Sequence, residues 1–232
     1  MRHAPRPHLV MLALVAFSLG STAIASAFPL RAPQIAFPNA SLQGYLNSKG
    51  ESINTLTDQV DAQTFITSVS GNAEFTLMIE LAGNAPFNSI GVYNASAPPF
   101  PPLFQVFPGV AQAGWFASAH FGAGNLVVTL FDQNSIIQGQ TFYPGVDPTN
   151  FGFYIQGPAG THFSQDFRNG GQAHVLSYAG TGRNAGDWWE CFEDSPWADG
   201  AVDFDDAILM LQSVAPTPDR VQSWGAIKRL YK

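Results

Sequence analysis

The carboxylates of this chain are concentrated between Arg183 and Arg220, a segment with no Lys or Arg between its two ends. Its first two-thirds hold eight of the seventeen acidic residues: Asp187, Glu190, Glu193, Asp194, Asp199, Asp203, Asp205 and Asp206. Two such charges about 5 Å apart repel by about 3 kcal/mol at an effective dielectric constant of 20. A hard cation turns that repulsion into coordination, and oxygen ligands on Gly-containing loops are typical of calcium sites. The segment therefore predicts a calcium site, with a solvated acidic surface as the alternative.

The predicted metal ligands are five carboxylates on either side of one loop: Glu193, Asp194, Asp203, Asp205 and Asp206. Strand alternation predicts that Asp203 and Asp205 face one way while Phe204 faces the core, so that both carboxylates can bind one ion. Glu193 and Asp194 join them if the loop folds back as a hairpin. The pattern does not fit the EF-hand template, so the prediction rests on charge density and loop chemistry.

Tryptophans flank this acidic segment, and an exposed indole beside carboxylates or calcium is a common way to hold a sugar ring. Trp188, Trp197 and Trp115 are therefore candidate carbohydrate-binding residues. The alternative is structural: Trp188 and Glu190 face outward, Trp189 and Cys191 pack inward, and Trp197 covers the loop.

Other candidate chemistry is weaker. Glu190 or Glu193 with an Asp is formally a glycosidase pair, although dense clustering favours a metal. His162 and His174 match no zinc spacing and are interpreted as scattered strand and loop residues. Cys191 is the only cysteine, has no basic neighbour that would lower its pKa, and is interpreted as a small buried hydrophobe. We expect no catalytic residues and a non-enzymatic protein.

The first 27 residues have the pattern of a signal peptide. Arg2 and Arg6 precede an apolar run over residues 9–20, and residues 25–27 read Ala-Ser-Ala, a small-x-small cleavage signal. A run of about 12 apolar residues is too short to span a membrane, which takes about 20. We expect a secreted, extracellular protein, with the periplasm as the alternative, and no membrane span in the mature chain.

The predicted body, residues 28–214, is one all-β domain with its acidic loop at 187–206, followed by a basic C-terminal tail at 215–232. From Phe28 to Pro218 there are four basic and sixteen acidic residues, a net charge of −12. Such a charge argues against nucleic acid or an anionic membrane as partner.

Ten short apolar stretches separated by Gly, Pro, Asn and Asp predict a single β-sandwich or jelly-roll-like domain. They cover residues 64–69, 73–82, 89–93, 103–107, 115–121, 125–131, 150–156, 174–179, 188–192 and 207–214. Residues 41–48 predict one short N-terminal helix, with Ser41 as its N-cap.

The acidic phrase is similar to the C-terminal signature of the domain of unknown function 4114, found in exported bacterial proteins. That signature is F-E-D, a Gly-rich loop, D-x-D-[YF]-[ND]-D and an apolar strand; here these are residues 192–194, 203–206 and 207–211. Residues 80–84, 91–93, 150–154 and 174–178 also resemble the family, as seen in relatives with a PEP-CTERM sorting tail. The resemblance implies calcium binding and a surface, matrix or adhesion-type role, with cell-surface or matrix glycans or proteins as partners.

This chain departs from the family at two places. Ala201 stands where many relatives have a further Asp, so the ligand set is one carboxylate shorter. The V-P-E-P sorting tail is missing after Pro216, which predicts release from the cell. The predicted function is thus a secreted calcium-binding β-sandwich protein, with a calcium-assisted carbohydrate-binding module and an extracellular glycosidase as the alternatives.

Overall fold

A computed structural model describes residues 28–36, 38, 40–68, 70–80, 85–199 and 202–217. It contains one α-helix, α1 (Ala40–Ser48), and thirteen strands. The strands are β1 (Phe65–Thr67), β2 (Asn72–Glu80), β3 (Ser89–Asn94), β4 (Leu103–Phe107), β5 (Phe116–Phe121), β6 (Asn125–Phe131), β7 (Ile137–Pro144), β8 (Phe151–Gly157), β9 (Gly160–Phe163), β10 (Val175–Ala179), β11 (Trp188–Phe192), β12 (Ala207–Gln212) and β13 (Val214–Pro216). The predicted signal peptide and most of the predicted basic tail lie outside the described residues.

The strands form two antiparallel sheets that pack face to face. One sheet has seven strands in the order β10-β11-β12-β2-β5-β6-β7; the other has the order β13-β1-β8-β3-β4, with β9 paired to β8. The predicted all-β sandwich with one short helix near the N-terminus is confirmed. The last strand ends at Pro216, so the sandwich runs two residues past the predicted boundary at 214.

Aromatic residues from both sheets fill the space between them. Phe75 of β2 meets Phe153 of β8 edge-on, with ring centroids 5.4 Å apart, and Phe65 of β1 contacts Trp188 of β11 at 6.3 Å. Strand β6 shows how the sequence produces this layer, since its residues alternate between buried and half-buried along the whole strand. The inter-sheet core is apolar and continuous.

A third layer covers the outer face of the seven-stranded sheet. Leu42 and Leu46 of α1 are fully buried against the outward side chains of β10, β11 and β12, including Trp189 and Cys191. Both faces of β11 are therefore buried, and all five of its residues are inaccessible. The predicted outward orientation of Trp188 and Glu190 toward solvent is wrong, because these two side chains face the inter-sheet core while the helix covers the other side.

Among the residues that the structure describes, no helix is long and apolar enough to cross a membrane.

Candidate metal site

The acidic loop joins β11 to β12 and spans residues 193–206, since residues 188–192 of the predicted loop form a strand. The antiparallel register ends with Phe192 opposite Ala207. The next residue on each side is therefore Glu193 and Asp206, and the ladder alone brings these two carboxyls together. Asp194 joins them because its backbone N–H donates to Asp206 Oδ2 at 2.7 Å.

Glu193, Asp194 and Asp206 can hold a metal ion. One carboxylate oxygen from each lies within 4.8 Å of the others, a spacing of about twice the calcium–oxygen distance of 2.3–2.6 Å. Glu193 is 1% and Asp194 4% exposed, while Asp206 is half-buried. Three of the five predicted ligands are thus placed in one group.

Glu193 also closes the loop through the backbone. Its Oε1 accepts from the N–H of Ser195 at 3.0 Å, and its Oε2 accepts from the N–H of Asp203 at 2.9 Å and of Phe204 at 3.5 Å. One carboxylate therefore ties the start of the loop to its end. Each oxygen has two lone pairs, so the two bonds to Oε2 use both of its own, and the single bond to Oε1 leaves one lone pair for a cation.

The electrostatic state of the cluster follows from its burial. Desolvation raises the pKa of Asp206 to about 8, with the neighbouring charges of Glu193 and Asp194 adding to the effect. Desolvation also raises the pKa of Glu193, whose carboxyl is hydrogen-bonded to that of Asp206. Without a metal, one proton is therefore retained between these two groups near neutral pH.

Among the described residues, no Lys, Arg or His side chain forms an ion pair with the three carboxylates. Within the described part of the chain, the single ion pair is Arg31–Asp166, which involves none of the three carboxylates. The polar partners of Asp194 are neutral: Asn88 Nδ2 donates to its Oδ2 at 2.8 Å and Ser195 Oγ to its Oδ1 at 3.0 Å.

Two histidines that the sequence did not connect to this loop lie beside it. The rings of His162 and His174 stack with centroids 3.8 Å apart and planes 7° from parallel. His174 is buried with Nδ1 3.1 Å from the carbonyl oxygen of Glu193. Burial lowers the pKa of His174, and burial together with the neighbouring ring lowers the pKa of His162 to about 4. Both rings are neutral near pH 7 and add no positive charge.

Asp203 and Asp205 lie outside the three-carboxylate group. The prediction assumed an extended strand through Phe204, but the chain has a left-handed φ of 60° at Phe204 and the strand begins only at Ala207. Phe204 is fully buried in the outer layer, which holds this strained backbone in place. Asp205 is turned toward α1, where its Oδ2 accepts a hydrogen bond from Ser41 Oγ.

The three candidate sugar-binding tryptophans are not together. Trp188 is 4% exposed in the inter-sheet core and has no free ring face, which corrects its assignment as a sugar-binding residue. Trp115 is half-buried against the same core, just before β5. Trp197 is half-buried on the acidic loop and lines a surface pocket.

Glu190 and Cys191 are both inaccessible to a substrate. Glu190 is 0% exposed, so the formal glycosidase pair that included it has no access to a glycan. Cys191 is also fully buried, and burial, with the nearby Glu190, raises the pKa of its thiol well above the usual range. This burial agrees with its interpretation as a small hydrophobic residue.

No protein-family model matches the chain, nor does any curated protein or solved structure. The resemblance to the domain of unknown function 4114 stays a prediction.

Proposed function

We propose that this is an exported, non-enzymatic β-sandwich protein whose acidic loop binds calcium and which serves a structural, surface or adhesion-type role. The observation that carries the proposal is the convergence of Glu193, Asp194 and Asp206 without a basic partner among the described residues. Two like charges at about 5 Å cost about 3 kcal/mol at an effective dielectric constant of 20. A cation with two positive charges removes that cost.

The donor set favours calcium over the other common metals. All three side-chain donors are carboxylate oxygens, and hard oxygen ligands suit calcium or magnesium, whereas zinc prefers nitrogen and sulfur. Cys191 lies in the outer layer, and His174 directs its Nδ1 at a carbonyl oxygen. Calcium tolerates the irregular geometry of a loop, while magnesium demands a near-ideal octahedron.

The bound ion would hold the carboxylates of the loop together, as the retained proton does, but with a stronger attraction. It would join the first two residues of the loop to its last, closing the β11–β12 connection at the end of the ladder. At about 100 times the dissociation constant, binding adds about 2.7 kcal/mol to the free energy of unfolding. That is a sizeable part of a typical total of 5–15 kcal/mol.

Export and the biological role rest on the sequence. The signal-peptide pattern of residues 1–27 and the single cysteine support export of a chain held together by its core and a metal instead of disulfides. The resemblance to the domain of unknown function 4114 supports a surface, matrix or adhesion role. Glycans or proteins of the cell surface or matrix are the proposed partners.

Thermal melting of the calcium-stripped full chain, titrated with calcium and separately with magnesium, tests the proposal. We expect a calcium-selective rise of about 5–10 °C, because 1 kcal/mol corresponds to about 2–4 °C in a chain of this size. The rise should vanish in Glu193→Gln/Asp206→Asn. It should persist in Glu74→Gln, which changes an exposed carboxylate on β2. If calcium up to about 10 mM does not change the melting temperature of the wild type, the cluster does not bind calcium. Its carboxyl groups are then a structural feature that shares a proton.

A further inference from the structure

A pocket of about 200 Å³ lies apart from the three carboxylates, between the N-terminal segment and the acidic loop. Its walls come from four separate stretches of chain, represented by Arg31, Gln63, Asp166 and Trp197. The volume is smaller than the 300–1,000 Å³ of typical drug-sized sites and suits a ligand of about the size of one sugar ring.

One side of the pocket is a fixed polar array. Arg31 is 7% exposed and forms an ion pair with Asp166. Its Nη2 donates a hydrogen bond to the carbonyl oxygen of Val175 at 3.4 Å. Gln63 Oε1 accepts from the backbone N–H of Asp166 at 3.0 Å, and Gln63 Nε2 donates to Asp61 Oδ1 at 3.2 Å. The array is therefore preorganised and presents donors and acceptors side by side.

The buried arginine in this array is not fully satisfied. Arg31 Nε is buried and has no hydrogen-bond partner within the described part of the chain, although native structures pair the great majority of such atoms. Because this Nε atom is inaccessible, it does not contact a ligand, and the binding role rests on the residues that line the pocket.

The lining of the pocket also includes an indole. Trp197 lies in a short 3₁₀ turn of the acidic loop, Trp197–Asp199. Its Nε1 donates to the carbonyl oxygen of Ala173 at 2.8 Å, which fixes the plane of the ring. A fixed, half-buried aromatic ring facing polar groups suits a ligand with an apolar face and a hydroxyl-bearing edge.

We propose that this pocket binds a single neutral sugar ring. Two carboxylates, Asp61 and Asp166, face one guanidinium, so the lining disfavours an anion. The same guanidinium disfavours an ammonium ligand that would otherwise suit Asp61 and Trp197. A neutral ring with several hydroxyls uses both the donors and the acceptors, and its C–H face packs on the indole. The pocket does not require the calcium site, although Trp197 lies on the same loop.

Isothermal titration of the full chain with glucose, galactose, mannose and N-acetylglucosamine tests this assignment. Each titration is run in calcium and again in chelator, so that failure of the pocket and failure of the metal site are seen separately. We expect one sugar to bind with a dissociation constant of about 1 mM. Affinity should fall at least about tenfold in Trp197→Ala and also in Asp61→Ala. Trp115→Ala, which removes an indole outside the pocket, should bind as the wild type does.

If Trp197→Ala does not fold, Asp61→Ala decides the result, because Asp61 is half-buried at the surface. Three outcomes would overturn the assignment. The first is no binding of any of these sugars up to about 50 mM, far above a millimolar dissociation constant. The second is sugar binding that Asp61→Ala does not weaken. The third is tighter binding of choline than of any sugar, which would make the pocket a cation site.

Discussion

Two buried glutamates show how environment decides the charge of a carboxyl group. Glu51 is 5% exposed and accepts from four donors: the N–H and Oγ of Thr181, Asn184 Nδ2 and Trp189 Nε1. Burial raises its pKa, but the hydrogen bonds outweigh that effect and the net pKa is lowered. Glu190 is 0% exposed, and neither of its oxygens has a hydrogen-bond partner in the described chain. Burial raises its pKa well above the usual range, against smaller effects of Ser177 and Arg31.

The Glu51→Gln substitution should destabilise the fold. Glutamine keeps one acceptor oxygen, so either the two Thr181 donors or the Asn184 and Trp189 donors lose their acceptor, at a cost of about 3 kcal/mol in the free energy of unfolding. Because the pKa of Glu51 is lowered in the fold, its contribution is present above the unfolded pKa of about 4.3 and is lost as pH falls further. Urea unfolding at pH 7 and at about pH 3 measures this. An equal deficit at both pH values, or none at pH 7, would contradict the prediction.

The Glu190→Met substitution should stabilise the protein at alkaline pH. A raised pKa means that the folded chain retains a proton which the unfolded chain releases, so stability falls as pH rises above about 4.3. Methionine removes this dependence and fills the same space with an apolar chain, for a gain of about 2 kcal/mol at pH 8. Urea unfolding at pH 5 and pH 8 is the measurement. A variant less stable than the wild type at pH 8 would show that Glu190 has partners which we have not identified.

At the scale of elements, β7 is an exposed edge strand. It is the last strand of the seven-stranded sheet, and seven of its eight residues are exposed. Ile137 is 62% and Phe142 60% exposed. No charged residue occurs from Gln133 to Val146, whereas edge strands are usually protected by charges, bulges or covering loops. The opposite edge, β10, is covered in part by the bridge between Val60 and Ser177.

Association of the protein at high concentration should therefore run through β7. Ile137→Lys places a charge on the free edge and should lower the associated fraction measured by sedimentation velocity. Ile66→Lys is the matched control, because Ile66 is also exposed but lies on β1, which has strands on both sides. If both variants associate as the wild type does, the β7 edge is not the contact.

The same strand explains part of what the sequence could and could not predict. Strands such as β6 were predicted because one face is buried and apolar residues alternate. The sequence analysis did not predict β7. Both faces of this strand are exposed, so its apolar and polar residues do not need to alternate. The four-residue β9 was missed because its Gly160-Thr161 start gives no apolar run. The predicted short helix is confirmed, with Leu42 and Leu46 on one face. It begins at Ala40, so Ser41 lies inside the helix and its assignment as the N-cap is wrong.

At the scale of the whole molecule, the acidic loop connects the seven-stranded sheet to the outer layer. Glu193 and Asp206 extend the ladder of the seven-stranded sheet, Phe204 is buried beneath the outer layer, and Asp205 accepts a hydrogen bond from α1. The sequence predicted which loop holds the cluster, because the acidic residues of this loop are close together in the sequence. It did not predict which carboxylates converge, because the turn at Phe204 depends on burial of that ring under the helix. Nor did it predict the His162–His174 pair, whose members meet only through the fold.

Stability of the calcium-free protein should fall as pH rises toward 8. The pKa of Asp206 is raised from 3.8 to about 8, so between these pH values the folded chain keeps a proton that the unfolded chain releases, and the free energy of unfolding falls as pH rises. Calcium should make the fall less steep by replacing the proton of the cluster, while the part that comes from Glu190 remains. Urea unfolding between about pH 5 and pH 8, in calcium and in chelator, measures both curves. Asp206→Asn should make the calcium-free curve less steep than that of the wild type; equal slopes for the two proteins in chelator would contradict the raised pKa.

Calcium binding measured by isothermal titration at pH 7, in two buffers of different ionisation enthalpy, tests the central claim most directly. We predict one site per chain with a dissociation constant of about 0.1–1 mM and release of part of a proton on binding. Asp206→Asn and Glu193→Gln should abolish binding, while Asp205→Asn should retain it, because Asp205 lies outside the cluster. No binding up to about 10 mM, or binding that is lost in Asp205→Asn and kept in Asp206→Asn, would contradict the account.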